Sequence, residues 1–261
     1  MSVPASPVSH YPTEALWRGL RRFWHAQRFM SPADIPLFLK SAKTDAAIAR
    51  WRGELGERGA FDAAYSTFDD PWQAASAKYC YQRWKYDHLI DSLPKGRRFE
   101  HALDLGCGLG LLTTKLAALA DRVTGIDIAE EAVKRAALRS TVFSNIIYEQ
   151  GDAACLSPSL NGRFDLVVIA DTLYYLPPPI TKAALKQIAL RIGELLKPGG
   201  ICLLANHYFF SFDTDSRLSR TIHDAFVWSP SFEVKSQHRR PFYLVTLLDR
   251  THSMPAFGDL P

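Results

Sequence analysis

The ten residues His101-Ala-Leu-Asp-Leu-Gly-Cys-Gly-Leu-Gly110 constrain this chain more than any other stretch. An apolar run from Ala102 to Leu105 leads into glycines at alternate positions, Gly106, Gly108 and Gly110, and residues 111–120 have helical texture. A short strand, a glycine turn and a helix in that order open a nucleotide-binding βαβ unit. Glycine carries no Cβ, so such a turn can take φ > 0 and bring main chain close to a bulky ligand. The helix that follows points unpaired N–H groups at whatever sits in the turn. A dinucleotide fingerprint, G-x-G-x-x-G, needs its third glycine at position 111, which is Leu111. The chain reads instead Asp104-x-Gly106-x-Gly108-x-Gly110. By itself the turn is also compatible with a tight bend that binds nothing, so the elements after it decide.

Those elements follow in βαβ order. A second strand over 122–126 ends at Asp127, where a carboxylate can accept from both hydroxyls of a ribose. Ile128 follows, placed to pack on an adenine face, and residues 130–139 form a helix with acids first and Lys134, Arg135 and Arg139 later, matching the helix dipole. A third strand over 146–149 precedes Gly151-Asp152-Ala153-Ala154; an ordinary loop acid is the alternative reading of Asp152. A fourth strand, Phe164-Asp-Leu-Val-Val-Ile169, has the continuous apolar run of a buried parallel strand. It leads to Ala170-Asp171-Thr172-Leu173-Tyr174-Tyr175-Leu176 and is stopped by three prolines. A helix over 181–196 puts Leu185, Ile188, Ile192 and Leu195 on one face; Lys197-Pro-Gly-Gly200 turns sharply into a fifth strand over 201–204.

This ordered set, over about residues 102–206, resembles the class I S-adenosylmethionine-dependent methyltransferases. The Phe-Asp-Leu-Val-Val segment and the Leu-Leu-Lys-Pro-Gly-Gly turn carry the resemblance together with the glycine motif. Asp70-Pro71-Trp72 and Leu173-Tyr174-Tyr175-Leu176 are similar, more weakly, to the nodulation-factor N-methyltransferases, which methylate the amine of an amino-sugar oligosaccharide; Asp171 stands where those enzymes usually carry Glu. The resemblance implies an α/β, Rossmann-like, seven-stranded, mostly parallel sheet with helices on both faces, an antiparallel last strand and a helical N-terminal cap. It implies a closing hairpin, for which 232–237 and 242–248, joined through His238-Arg239-Arg240-Pro241, are the candidates. It implies S-adenosyl-L-methionine as cofactor, held by Asp104, Gly106, Cys107, Gly108, Asp127, Ile128, Asp152, Ala153 and Ala170, with Asp152 receiving the adenine amino group.

Acceptors on such a sheet lie over the carboxyl ends of the strands. That makes Asp171, His207 and Tyr208 the candidate catalytic residues and Tyr174, Tyr175 and Asn206 the candidate acceptor contacts. His207 follows a central strand, and an imidazole with an unperturbed pKa of about 6.5 suits proton transfer at neutral pH; a hydrogen-bonded rim histidine is the other reading. Tyr174 and Tyr208 can bind a cationic group over their rings or simply pack. Phe209, Phe210 and Phe212 make an aromatic wall, and an inserted helix over about 213–227, with Arg217, Arg220 and His223, covers the acceptor site. The expected activity is methylation of a small molecule, at the amine of an amino sugar or a related amine first, or at a hydroxyl. An NAD-dependent oxidoreductase and a non-catalytic binding protein of the same fold are the alternatives.

The rest of the chain sets the frame. Residues 1–13 hold three prolines and read as a flexible tail; 14–97 read as a helical cap or lid, 98–250 as the methyltransferase domain and 251–261 as a second tail. In the cap, Leu16, Leu20, Phe23 and Trp24, then Ile48, Trp51 and Leu55, fall at helical spacing, and Ser31-Pro32 starts a helix. Arg21, Arg22, Phe23, Trp24, His25 and Arg28 suit either a flap over an anionic group or an ordinary amphipathic helix. After Pro71 a helix is expected to run to about Leu93, with Tyr79, Arg83, Tyr86 and Ile90 along one face; Trp72 and these tyrosines are lid or core. The net charge of +4 is not clustered, which argues against nucleic acid as a partner. Four scattered cysteines lack zinc spacing, so no metal is expected and a reducing, cytoplasmic setting is. No apolar run approaches membrane length. A homodimer is left open.

Overall fold

The computed structural model describes residues 30–209 and 213–251. Seven strands form one sheet: β1 (Phe99–Leu105), β2 (Ala120–Asp127), β3 (Ile146–Gln150), β4 (Phe164–Ala170), β5 (Leu196–His207), β6 (Phe232–Arg240) and β7 (Tyr243–Arg250), in the order β3-β2-β1-β4-β5-β7-β6. The first five pair in parallel, and β7 runs antiparallel to both β5 and β6. This is the Rossmann-like sheet expected from the motifs. Strand order reverses between β1 and β4, and a crevice opens there at the carboxyl ends of the strands.

Among the described residues six α-helices surround it: α1 (Ile35–Thr67), α2 (Cys80–Ser92), α3 (Leu111–Leu116), α4 (Glu130–Arg139), α5 (Lys182–Leu195) and α6 (Thr214–Val227). On one face the predicted stripe of α5, with Ile222 and Phe226 of α6, packs on Leu103, Leu105, Val167, Ile169 and Leu204. On the other, Leu89 of α2 and Leu112 and Leu116 of α3 pack on Ala102, Leu166, Val168 and Leu203. Successive side chains of a strand point to opposite faces, so strands covered on both must be apolar throughout. Each fully buried Leu, Ile or Val contributes about 1.5–3 kcal/mol. A third, smaller cluster joins Ile48, Phe61, Ala64 and Tyr65 of α1 to Leu109, Ala129 and Ala132 above the glycine turn.

Several boundaries differ from the sequence-based expectation. The helix expected after Pro71 begins only at Cys80. The Asp70 carboxylate instead accepts the N–H groups of Ala74 and Ala75 (2.9 and 2.8 Å), and Gln73 takes φ 57°, so residues 70–79 close as turns. The helix after the glycine turn stops at Leu116, because Ala120 already pairs with Phe99 in the sheet. β5 starts at Leu196, and the Lys197–Gly200 turn survives inside it as a bulge: partners pass from Phe164–Leu196 to Leu166–Ile201. β6 runs on to Arg240, so the hairpin turns on Pro241-Phe242 alone, with φ 69° at Phe242. Leu55 is exposed rather than continuing the face of Ile48, because α1 breaks at Gly56 (φ 69°). The expected tail over 1–13, the helical stretch with its basic and aromatic residues up to Arg28, Phe210, Phe212 and residues 252–261 lie outside the described residues.

Candidate functional site

A cavity of about 330 Å³ lies over the carboxyl ends of β1, β2, β4 and β5, within the range of small-ligand sites. Its first half is built on the glycine turn. Gly106 takes φ 78°, and a Cβ there would overlap the Thr172 side chain, whose hydroxyl donates to the Leu105 carbonyl (2.9 Å). Gly108 takes φ 52°, and a Cβ there would stand 2.8 Å from the Tyr65 hydroxyl. Only glycine satisfies both the left-handed backbone and the space.

Asp127 ends β2 inside this half. Its Oδ2 accepts the Gly108 N–H (2.8 Å) and its Oδ1 the Ala129 N–H (3.0 Å). Burial pushes its carboxyl up to about 6, against the pull of those N–H groups. A carboxylate has about four acceptor sites, so two remain for a ligand. Cys107, Ile128, Asp152, Ala153 and Ala170 also line the cavity, and Asp152 shapes its own loop by accepting the Ala154 N–H (2.8 Å). Asp104 does not reach the cavity. It lies buried behind the turn, accepts the Thr113 hydroxyl (2.6 Å), and burial raises its carboxyl to about 7, with the nearby Asp127 adding to the shift. Close main chain, an acceptor carboxylate and the apolar walls of Ile126 and Ile128 fit a nucleoside with free vicinal hydroxyls.

The second half is assembled from distant elements. Asp171 follows β4 with φ 55°; its N–H donates to the Ala205 carbonyl (2.8 Å) and its Oδ1 accepts the His207 N–H (3.0 Å). Its Oδ2 is ion-paired with Lys85 of α2. The His207 ring stands edge-on to Tyr174 (centroids 4.3 Å apart), and burial lowers its pKa, so it is neutral at pH 7. Trp72, Phe61, Tyr65 and Tyr175 form one aromatic group over the cavity, with Trp72 centred 5.6 Å from both Tyr65 and Tyr175. Asp45 ties it together, accepting from Trp72 Nε1 (2.9 Å) and the Tyr175 hydroxyl (2.7 Å). The Asp-Pro-Trp segment is therefore lid and packing at once.

The structure thus brings Asp171, Tyr174, Tyr175 and His207 to one cavity and leaves two other candidates out of it. Tyr208 points the other way, with the Arg239 and Arg220 guanidiniums 4.7 and 5.7 Å from its ring centroid. Alternation along β5 explains this, since neighbours of His207 face the opposite side. Asn206 is fully buried, and both of its amide atoms lack a hydrogen-bond partner. The motifs missed Lys85, Tyr65 and Asp45. Lys85 had a faint signal: Gln82, Lys85 and Tyr86 share one helical face, and all three line the cavity. Among the described residues no cluster of His, Cys, Asp or Glu could hold a metal ion, and no helix is long and apolar enough to cross a membrane.

Residues 64–204, more than half of the chain, match the model of the family Nodulation protein S (NodS). The chain belongs to the NodS family. Nodulation protein S of Bradyrhizobium diazoefficiens is 33% identical over 108 residues, 41% of this chain and 50% of that protein. The ubiquinone biosynthesis O-methyltransferase of Psychrobacter cryohalolentis is 34% identical over 106 residues, 40% of this chain and 39% of that protein. The chain thus spans half or less of the length of these relatives. The crystal structure of the N-methyltransferase NodS from Bradyrhizobium japonicum WM9, in complex with S-adenosyl-L-homocysteine, shares the fold with a TM-score of 0.61 at 21% identity, covering 72% of this chain and 98% of that one.

Proposed function

We propose that this chain is an S-adenosylmethionine-dependent methyltransferase acting on a small molecule, with the amine of an amino sugar as the first acceptor class and a hydroxyl as the second. The observation that carries the reading is the Asp127 carboxylate at the tip of β2, facing the cavity beside Gly106 and Gly108 in a chain of the NodS family. When bound, S-adenosylmethionine supplies an electrophilic methyl group on a good leaving group, which leaves alignment and proton removal to the protein. Asp127 holds the ribose hydroxyls; Ile128, Asp152 and Ala153 take the adenine; Gly106, Cys107, Gly108 and Ala170 give close main chain. Asp104 acts behind the turn, through Thr113. Tyr174 and Tyr175 wall the acceptor, and the neutral His207 accepts its proton, with Asp171 holding the segment.

The names of the two relatives leave both N- and O-methylation open. The cavity favours an amine. Seven carboxylates line it, Asp45, Glu57, Asp70, Asp127, Asp152, Asp171 and Asp215, against the single ammonium of Lys85 among the described lining residues, and aromatic faces attract cations. The same proposal includes a helical cap up to residue 97 on a methyltransferase domain from 98, and a reducing, cytoplasmic setting, supported by four free thiols. A homodimer through the exposed Leu138, Val142 and Ile147 is read by size-exclusion chromatography. Calorimetric titration with S-adenosylhomocysteine and with NAD tests the cofactor: binding of the first is expected, and binding of NAD alone overturns the reading. Product formation with glucosamine but not with N-acetylglucosamine is expected; the reverse moves the chemistry to a hydroxyl.

A further inference from the structure

Lys85 is the buried charge that the motifs leave unexplained. It belongs to α2, outside the sheet, and only 4% of its side chain is exposed. An ammonium leaves water at such a site only with a partner, and the partner is Asp171 Oδ2. The other oxygen of that carboxylate accepts the His207 N–H (3.0 Å). One side chain from a cap helix therefore reaches the His207 main chain through one carboxylate. Asp171 also sits in a left-handed conformation uncommon for a residue with a Cβ, and such backbone persists where the surroundings over-determine it. Here its N–H, Oδ1 and Oδ2 are each engaged by a different residue.

We infer that Lys85 is a positioning residue of this site: it locks the Asp171 carboxylate, and through it fixes where, and in what field, the His207 imidazole sits. The inference rests on the methyltransferase reading of the same cavity. His207 is faced by Asp171 after β4, Lys85 from α2, Asp215 from α6, Asp45 from α1 and the Tyr174 ring. Burial holds its pKa down, Lys85 adds to that, and the three carboxylates oppose it. With Lys85 and Asp171 paired, their effects on the imidazole oppose each other, that of Asp171 being the larger. Losing one partner alone exposes the other.

The test is the titration of His207 by NMR of imidazole-labelled protein, in wild type and in Lys85→Met, Asp171→Asn, the double variant and Lys85→Arg. Lys85→Met is expected to raise the His207 pKa by about one unit and Asp171→Asn to lower it by a similar amount. The double variant returns it to within about 0.3 unit of wild type, the sum of two opposite shifts. Lys85→Arg keeps the charge and titrates like wild type. Identical titration of His207 in wild type and Lys85→Met, or in wild type and Asp171→Asn should Lys85→Met not fold, overturns the inference. S-adenosylhomocysteine affinity is measured on the same proteins and is expected to stay within about threefold. Absence of that binding in wild type is a failure of the methyltransferase reading alone; the His207 titration reads the role of Lys85 separately.

Discussion

The two halves of the cavity are built by different means. The half around the glycine turn, the proposed nucleoside half, comes from main chain and the carboxylates of Asp127 and Asp152, and its parts lie close in sequence: Gly106 to Ile128, then Asp152 and Ala153. The acceptor half comes from side chains of α1, α2, α6 and the ends of β4 and β5, from Asp45 to Asp215. The first half is fixed by what a turn and a strand tip can do; the second depends on which cap happens to cover the sheet. Changes in the first half should therefore act on the fold and the cofactor, and changes in the second on turnover.

The largest expected effect tests the first half. Gly106→Ala puts a Cβ into Thr172 at φ 78°; a loss of about 2–3 kcal/mol in denaturant unfolding is expected, together with loss of S-adenosylhomocysteine binding. A variant of unchanged stability would show that the turn yields. In the second half, His207→Ala should lower turnover of the amine acceptor by about 100-fold or more, with S-adenosylhomocysteine affinity kept. Equal losses in both quantities would erase the division between the halves. Asp127→Asn should weaken S-adenosylhomocysteine by about tenfold or more, from one charge-assisted bond worth about 1.5–3 kcal/mol, and its amide nitrogen, unable to accept, leaves one of the Gly108 and Ala129 N–H groups unpaired.

The same carboxylate gives a pH dependence. Asp127 titrates at about 6 and Asp104 at about 7 in the folded chain, against about 3.9 unfolded. Each binds its proton more tightly when folded, so their contribution to stability is fully present below the unfolded value and is lost as pH rises through the folded one. Ligand binding runs the other way, since a ribose wants the ionised form. Between pH 7 and 5, S-adenosylhomocysteine affinity should fall on acidification, by calorimetry. Over pH 5 to 8 the stability of Asp104→Asn relative to wild type should rise with pH, by urea midpoints. Smallest of all, Tyr208→Phe should change turnover by less than about twofold, its ring lying between two exposed arginines away from the cavity; a larger loss would extend the acceptor half through the β5 strand.

Much of the nucleoside half was legible because its signals are local. Glycine spacing, an acid at a strand tip and apolar runs of strand length are statements about neighbouring residues, and β1, β2, β4 and α4 lie close to where they were expected. Errors gathered where side chains compete with the backbone pattern: Asp70 caps turns that read as helix, and the α1 stripe breaks at Gly56. The acceptor half was half-read. Asp171, Tyr174, Tyr175 and His207 follow strands whose ends are known to meet, whereas Tyr208 and Asn206 were assigned by proximity in sequence, without the alternation that turns them away.

The sequence by itself determined several strands, the glycine turn and the acid at the tip of β2, because hydrophobic period, φ > 0 glycines and a carboxylate at a strand end act over a few residues. Only the tertiary structure decided that Lys85 reaches Asp171 across 86 positions of chain, that Asp45 gathers Trp72 and Tyr175, and that Tyr208 faces away. Such pairings follow from how a cap helix lies on a sheet, and the free energy of burying a charge beside its partner depends on three-dimensional neighbours that no local pattern encodes.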